Sequence, residues 1–244
     1  MANPQVIAVI PARGGSKRLP RKNVRVLWEI PLIAYPIHAA LSADFIDTVL
    51  VSTDNDEIAD VARKWGAEIV ERPVEISRDT SPIDEALRHA LQFWHRKANV
   101  APEMLVWLQA DVPIHKPGMI DRVVQMLRTD GNASAVATGY RVSEHPSWMK
   151  TMDADGYMYP LEPSMTTYRL QDLPDLFLLD GAIMAMRPEN LENDEVGLHV
   201  YLGEHPRLLV QEHPMYSLNV ETMEQMEIAQ FHLERHPELV PPRI

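Results

Sequence analysis

Six basic side chains lie within thirteen residues near the start of the chain, and their density points to phosphate chemistry. They are Arg13, Lys17, Arg18, Arg21, Lys22 and Arg25, out of only 23 Lys and Arg in 244 residues. Gly14 and Gly15 lie among them, where the backbone can turn sharply and present N–H groups. In α/β proteins, a loop of this kind between a buried strand and a helix binds polyphosphates. We therefore expect the chain to act on a nucleoside triphosphate or a similar polyanion.

The elements that must position this loop are predicted from an alternation of strand and helix signals. An apolar run at residues 6–10 predicts a buried strand directly before the loop. Further strands are predicted at 47–53, 67–70, 105–109, 133–140, 181–186 and 207–211. Helices are predicted from Pro31 to 41, at 55–65, from an N-cap at Ser81 to 97, from Pro117 onward, and at 222–234. The alternation predicts a Rossmann-like α/β fold, in which helices cover a mainly parallel sheet.

The alternation breaks between about residues 141 and 178, where prolines recur and polar and aromatic residues mix. We interpret this stretch as an insertion into one domain that spans residues 1–244. Its apolar residues are Trp148, Met149, Tyr157, Met158 and Tyr159. They predict a dimerisation arm that faces a second copy of the chain, so that a homodimer is expected. The alternative is a lid that folds over its own chain.

The charge distribution favours a focused positive pocket on an acidic body. The net charge is −12, yet residues 1–25 carry six cations and no acid, so the remainder carries −18. A nucleic-acid partner is not expected, because its binding face would be broadly basic. The chain has no cysteine, which fits a reducing cytoplasm. Residues 1–5 lack the features of a signal peptide, and no apolar run is long enough to span a membrane.

Three common site types are not expected from the sequence. Gly14-Gly15-Ser16-Lys17 reverses the order of the Walker phosphate loop, and it is not a Gly-x-Gly-x-x-Gly turn. The ten histidines show no ligand spacing with nearby carboxylates, so a zinc site is not expected. His115, His145 and His205 lie near prolines, and we expect them in loops that face solvent.

The segment from Ile10 to Asn23 resembles the signature loop of the acylneuraminate cytidylyltransferases. That family includes the CMP-sialic acid synthetases and their bacterial relatives for legionaminic and pseudaminic acids. The resemblance continues in order through Val51-Ser52-Thr53-Asp54, Glu71-Arg72-Pro73, Asp79-Thr80-Ser81-Pro82, Asp180-Gly181-Ala182-Ile183 and Ser217-Leu218-Asn219-Val220-Glu221-Thr222. It implies the nucleotide-diphospho-sugar transferase type of fold and a role in polysaccharide biosynthesis. The implied reaction is Mg²⁺-dependent transfer of CMP from CTP to an acidic 2-keto sugar, with release of pyrophosphate; Mn²⁺ is an alternative cofactor.

The resemblance also implies roles for individual residues. The triphosphate would contact Arg13, Gly14, Gly15, Ser16, Lys17 and Lys22, and the cytidine would contact Asn23, Arg72 and Ser81. The sugar acid would contact Gln109, Lys150, Arg169, Gln171 and Asp180. Arg13, Lys22 and Asp111 are expected to take part directly in catalysis.

The metal side of the expected site departs from the sialic acid branch. Gln109-Ala110-Asp111-Val112-Pro113 is closer to the ketodeoxyoctonate cytidylyltransferases, where the resemblance implies that this Asp binds magnesium. Asp111 follows a predicted parallel strand, where an open α/β sheet places its site. Asn219 and Glu221 stand where the family tends to have two Asp. We expect Asp111 and Glu221 to bind Mg²⁺, with Asn219 as a neutral ligand.

Two alternatives to a sialic-type enzyme remain open at this point. The segment around Asp111 favours a ketodeoxyoctonate-type cytidylyltransferase, or one that acts on another sugar or hydroxy acid. Asn219 and Glu221 instead favour a catalytically weak paralogue that binds nucleotide sugars. Release of pyrophosphate from CTP distinguishes an enzyme from such a binding protein.

Overall fold

A computed structural model describes residues 5–164, 167, 169–192 and 199–244. Its strands are β1 (Val6–Pro11), β2 (Val26–Leu27), β3 (Ile30–Pro31), β4 (Thr48–Thr53), β5 (Glu68–Glu71), β6 (Met104–Leu108), β7 (Ala135–Arg141), β8 (Lys150–Met152), β9 (Met158–Pro160), β10 (Phe177–Met186) and β11 (Pro206–Val210). Its α-helices are α1 (Ala34–Leu41), α2 (Asp56–Lys64), α3 (Ile83–Ala98), α4 (Met119–Thr129) and α5 (Met223–Arg235). Residues 1–4, which bear on the expected lack of a signal peptide, lie outside the described residues. None of the described helices is long and apolar enough to cross a membrane.

The main sheet has seven strands in the order β11-β7-β10-β6-β1-β4-β5. β1 pairs in parallel with both β4 and β6. At the two edges, β5 pairs in parallel with β4, and β11 pairs in parallel with β7. β10 alone runs against its neighbours β6 and β7. The predicted Rossmann-like, mainly parallel sheet is therefore confirmed.

The central strand β1 supplies both faces of the core, because successive side chains of a strand point to opposite sides. Val6, Ala8 and Ile10 join the cluster that packs under α1, α2 and α4. Ile7 and Val9 join the opposite cluster, which packs against α3. A continuous apolar run is what a strand covered on both faces requires. The carboxyl end of β1, where the cationic loop begins, is thereby fixed between two packed layers.

Two helix starts differ from the sequence-based expectation. The first helix begins at Ala34 rather than Pro31, because Ile30 and Pro31 pair with β2 in a short hairpin. The helix expected to be capped by Ser81 begins at Ile83, with Pro82 as its N-cap residue. The Ser81 hydroxyl instead donates to the backbone oxygen of Glu75 at 3.4 Å.

Two of the histidines expected to face solvent are buried. His115 and His145 expose only 9% and 3% of their surface, whereas His205 is exposed as expected. Burial lowers the pKa of His115 to about 4, so this imidazole is neutral near pH 7. Proximity to proline predicted the loops correctly but not the burial of these two imidazoles.

The stretch between β7 and β10 projects from the sheet as a short antiparallel hairpin. β8 and β9 form it, with Met152 opposite Met158 in the register. Both methionines are 73% exposed, and Trp148, Met149, Tyr157, Tyr159 and Leu161 are also exposed. Residues 165, 166 and 168 of the expected insertion lie outside the described residues. The described part therefore presents an apolar surface that its own chain leaves uncovered.

Replacement of Gly139 by Ala should destabilise the sheet. A Cβ atom at this position in β7 would overlap the Leu178 backbone oxygen and lie 2.8 Å from Leu208 Cδ1. The first neighbour is backbone and cannot rotate away, so we expect a loss of about 1–3 kcal/mol. Urea denaturation measures it, with Gly131→Ala as the control because nothing lies within 4 Å of its Cβ. Equal midpoints for the two variants would show that β7 has room at residue 139.

Candidate active site

A cleft of ≈ 780 Å³ opens at the carboxyl ends of β1 and β6. Ten of the residues expected to contact substrates or metal line it: Arg13, Ser16, Lys17, Lys22, Asn23, Arg72, Ser81, Gln109, Asp111 and Glu221. Gly14 and Gly15 line a neighbouring cavity of ≈ 670 Å³, which shares the cationic loop as a wall. The topology therefore brings the cationic loop and the two carboxylates into one site.

The first turn of the loop is tied to the carboxyl end of β4. The Ala12 N–H donates to the Ser52 oxygen at 2.9 Å, which extends the β1–β4 ladder by one residue. The Gly14 N–H donates to Asp54 Oδ1 at 2.9 Å. A Cβ atom on Gly14 would lie 2.9 Å from that of Asn55, the N-cap residue of α2. Glycine at this position therefore lets the loop pass close to the start of α2.

Asp79 pairs with two cations of the loop. Its Oδ1 atom lies 2.5 Å from Arg13 Nη1, and its Oδ2 atom contacts Lys17 Nζ. These two cations lower the pKa of Asp79, Lys17 having the larger effect, so the carboxyl is ionised at neutral pH. The carboxylate is 37% exposed, and the Lys17 side chain is 81% exposed. The two ion pairs therefore lie at the mouth of the cleft.

Arg72 and Asn23 bring buried polar atoms to the cleft without partners. The Nε and Nη2 atoms of Arg72 make no hydrogen bond within the described residues, and Asp54 lies 4.0 Å away. Burial lowers the pKa of Arg72, although the guanidinium stays charged at neutral pH. The Asn23 amide donates to the Arg13 oxygen at 3.1 Å, while its buried Oδ1 has no partner. Both residues line the cleft and carry buried polar atoms without a partner in the described residues.

Lys22 links the two carboxylates on the metal side. Its ammonium group contacts Asp111 Oδ2 and lies 2.9 Å from Glu221 Oε1. Asp111 and Lys22 are buried, whereas the Glu221 side chain is 34% exposed. Burial raises the pKa of Asp111, and the neighbouring Lys22 opposes that rise. The geometry gathers one cation and two acids at the base of the cleft.

The C-terminal segment reaches Asp111 through backbone contacts. The Val220 N–H donates to the Asp111 oxygen at 2.9 Å. Thr222 then caps α5 in a capping box, in which Gln225 Oε1 accepts from the Thr222 N–H at 3.0 Å, and the same oxygen also accepts from the Glu221 N–H at 2.7 Å. Helix α5 packs through Met226, Ala229 and Leu233 onto the segment around the β2–β3 hairpin. A distant part of the chain is thereby held beside the end of β6.

Two buried oxygens in this region have no hydrogen-bond partner in the described residues. They are Asp111 Oδ1 and Asn219 Oδ1, and the Asn219 amide donates to Gln109 Oε1 at 3.2 Å. Unpaired buried acceptors of this kind suit a hard divalent cation, which takes oxygen ligands. No group of three or more His, Asp or Glu side chains with metal-site geometry occurs in the described chain. A metal here would therefore rely on one or two carboxylates, on the Asn219 amide oxygen and on oxygens from outside the protein.

Four residues expected to meet the sugar acid do not line the cleft. Lys150 and Gln171 are exposed, and Arg169 pairs with Asp172 at 2.9 Å. The two oxygens of Asp180 accept from Thr138 Oγ1 (2.6 Å), the Ala182 N–H (2.9 Å), Gln211 Nε2 (3.1 Å) and Ser217 Oγ (2.8 Å). With its oxygens so engaged, Asp180 joins the bulged part of β10 to the chain before α5.

Sequence reasoning assigned no role to several residues that shape the site. Arg78, Asp79 and Trp107 line the cleft, and Asp54 binds the loop. One feature of the sequence does point to Asp54 and Asp79. Six cations without an acid nearby in sequence need counter-charges from elsewhere, and both Asp54 and Asp79 lie in segments that supported the resemblance.

A profile of the family described as Cytidylyltransferase matches residues 7–234 of the chain. The CMP-N,N'-diacetyllegionaminic acid synthase of Legionella pneumophila is 37% identical over 197 residues, covering 78% of this chain and 81% of that enzyme. The N-acylneuraminate cytidylyltransferase of Oncorhynchus mykiss is 32% identical over 145 residues. That match covers 59% of this chain but only 32% of the fish enzyme, which is much longer.

Structural similarity agrees with the sequence matches at the level of the fold. The structure of CMP:2-keto-3-deoxy-manno-octonic acid synthetase complexed with CTP superposes with a TM-score of 0.70 at 19% identity. The superposition covers 95% of this chain and 99% of that one. The resemblance to acylneuraminate cytidylyltransferases is confirmed by the profile and the relatives. The chain belongs to the cytidylyltransferase family of nucleotidyltransferases.

Proposed function

We propose that this enzyme transfers CMP from CTP to an acidic 2-keto sugar of the sialic, legionaminic or pseudaminic type and releases pyrophosphate. The observation that carries the proposal is the arrangement of the cleft. Loop cations line its mouth, and Asp111 and Glu221 lie at its base beside Lys22. Binding of a triphosphate needs cations along the phosphate chain. The reaction also needs groups that hold the attacking hydroxyl close to the α-phosphorus.

The unbonded atoms of Arg72 and Asn23 fit the cytosine base. Cytosine presents an exocyclic amine donor, whereas uracil carries a carbonyl at that position. In the part of the chain that the structure describes, Asn23 Oδ1 is a buried acceptor without a hydrogen-bond partner, and two nitrogens of Arg72 also lack one. The amine can donate to Asn23, and the Arg72 donors can bind the acceptors of the same ring. A base that leaves these atoms unpaired is disfavoured, which supports CTP over UTP.

Mg²⁺, with Mn²⁺ as the alternative, is proposed as the cofactor. Asp111 and Glu221 would hold it, and Asn219 would add a neutral oxygen. When bound, such a cation neutralises phosphate charge and lowers the pKa of the attacking hydroxyl. Lys22 keeps the two carboxylates together before any metal arrives. Arg13 and Lys17 would bind the departing phosphates and stabilise the charge that develops on them.

Pyrophosphate release tests the proposed reaction. The purified protein is incubated with Mg²⁺, one of the four nucleoside triphosphates, and sialic, legionaminic, pseudaminic or ketodeoxyoctonic acid. We expect release with CTP only, and only when a sugar acid is present. Failure with every combination would overturn the proposal and favour a binding protein without activity.

Ketodeoxyoctonic acid is the second candidate substrate. The observation in its favour is Asp111 itself, which follows β6 in a Gln-x-Asp-x-Pro segment and lies buried in the cleft. The ratio of kcat/KM values between this sugar and the nine-carbon acids decides the question. A preference of more than tenfold for ketodeoxyoctonic acid would replace the first candidate.

A homodimer is part of the proposal, and the hairpin of β8 and β9 is its expected contact. Exposed apolar residues concentrate on this hairpin, and large patches of this kind usually mark an interaction site. Met152→Asp combined with Met158→Asp should convert a dimer of 27.8 kDa chains into a monomer. Light scattering after size-exclusion chromatography measures the mass, with Val100→Asp on another exposed surface as the control. A wild-type mass of one chain would refute the dimer.

The cytoplasmic location stays a prediction.

A further inference from the structure

The carboxylate of Asp79 lies between two cations of the loop. It contacts Arg13 on one side and Lys17 on the other, and both residues line the cleft. A carboxylate held between an arginine and a lysine has the charge and acceptor geometry of a phosphate oxygen pair. Among the residues that the structure describes, no other cation of the loop shares a carboxylate with a second loop cation. Arg21 pairs with Glu57, which does not line the cleft, and Lys22 pairs with the acids at its base.

We infer that Asp79 is a built-in competitor of the polyphosphate, occupying Arg13 and Lys17 in the empty enzyme and being displaced by CTP. The inference rests on the proposed function and adds a residue that controls affinity for the triphosphate and for pyrophosphate. When pyrophosphate forms, the same carboxylate competes for the cations and promotes its release. Asp79 thus exchanges places with the phosphates without touching the reacting atoms.

The contacts of Asp79 permit such an exchange. Within the described part of the chain, its carboxylate has no hydrogen-bond partner besides Arg13 and Lys17. Because it is 37% exposed, its release places the charge in water rather than in the protein interior. Asp180 differs in this respect, since four donors hold its oxygens. Ion pairs as exposed as those of Asp79 are weak enough for a ligand to replace.

Asp79 lies at the border of two cavities. Arg13, Ser16, Lys17, Arg78 and Asp79 line both the cleft of ≈ 780 Å³ and its neighbour of ≈ 670 Å³. The two ion pairs therefore form part of the wall that the cavities share.

A purely supporting role for Asp79 predicts the opposite behaviour. If the carboxylate only held Arg13 and Lys17 in position for the phosphates, its loss would loosen both and weaken binding. A competitor, in contrast, is removed by Asp79→Asn, and binding becomes tighter. The sign of the change in affinity therefore separates the two roles.

Isothermal titration of wild type and Asp79→Asn with Mg²⁺-pyrophosphate, and separately with CTP, tests the inference. We expect pyrophosphate to bind about three- to tenfold more tightly to the variant, given the strength of exposed ion pairs. Product inhibition by pyrophosphate in the sugar-transfer assay should strengthen by the same factor. Asp79→Glu, which keeps the charge, should behave nearly as wild type.

Glu75→Gln is the matched control, since it removes one negative charge from the same exposed segment. Its change in affinity measures the general electrostatic effect, and the Asp79→Asn change must exceed it. Equal effects in the two variants, or weaker binding by Asp79→Asn, would overturn the inference and leave the proposed function standing. Absence of binding to the wild-type protein would overturn both.

Discussion

Replacement of Asp111 by Asn should lower turnover by more than tenfold while leaving the fold intact. Asp111 is buried at the base of the cleft, and its Oδ1 atom has no hydrogen-bond partner among the described residues. Asn keeps the shape of the side chain but removes the charge that a small hard cation requires from its ligand. The initial rate of pyrophosphate release at saturating CTP and sugar measures the effect. The Mg²⁺ concentration needed for half-maximal rate should rise in the same variant.

The control for Asp111→Asn is Asp60→Asn, an exposed residue of α2 that pairs with Arg63. It should keep the wild-type rate and the wild-type dependence on Mg²⁺. Circular dichroism melting curves of both variants verify that the fold persists. If Asp111→Asn turned over as fast as wild type, Asp111 would have no part in catalysis or metal binding.

Replacement of Lys22 by Met should reduce turnover by more than a hundredfold and also destabilise the protein. The ammonium group contacts Asp111 and Glu221, so its removal leaves two neighbouring carboxylates without a cation. Loss of one partner from a buried ion pair costs about 3 kcal/mol. Loss of a positioned donor to the phosphates costs a further factor of about 10²–10³ in rate. Urea denaturation and the pyrophosphate assay measure the two effects separately.

Lys64→Met provides the matched comparison for Lys22, because Lys64 is exposed on α2. We expect it to change neither stability nor rate appreciably. A Lys22→Met protein with wild-type stability would mean that the contacts with Asp111 and Glu221 do not hold the base of the cleft together. A stable but inactive variant would mean that Lys22 acts only on the bound substrate and does not stabilise the fold.

The sheet could be predicted because each of its longer strands has a local pattern of apolar residues. The run at residues 6–10 is apolar at every position, as burial on both faces requires, and β1 forms there. The short hairpin of β2 and β3 was missed, since two-residue strands leave no periodic pattern. Its pairing delays the start of α1 from Pro31 to Ala34. Pro31 therefore looked like a helix start while serving as a strand residue.

Residues of the candidate site could be predicted from the sequence where they directly follow a strand. Arg13 and Asp111 come after β1 and β6, which are neighbours in the sheet, so their side chains meet at one edge. The partner of the loop cations, Asp79, could not be assigned in this way, because it lies in an irregular segment between β5 and α3. The geometry of such a segment depends on contacts that only the folded chain supplies. Lys150 likewise followed the family pattern, yet it lies on the exposed hairpin rather than in the cleft of the single chain.

Transfer of CMP from CTP to a sugar acid can be followed by ³¹P NMR. Wild-type protein is mixed with CTP, Mg²⁺ and a nine-carbon 2-keto sugar acid, and the phosphorus signals are followed with time. The proposal predicts that the three signals of CTP are replaced by one signal of a phosphodiester and one of pyrophosphate. Persistence of the CTP signals with every sugar acid, or their conversion to CDP and inorganic phosphate, would contradict cytidylyl transfer.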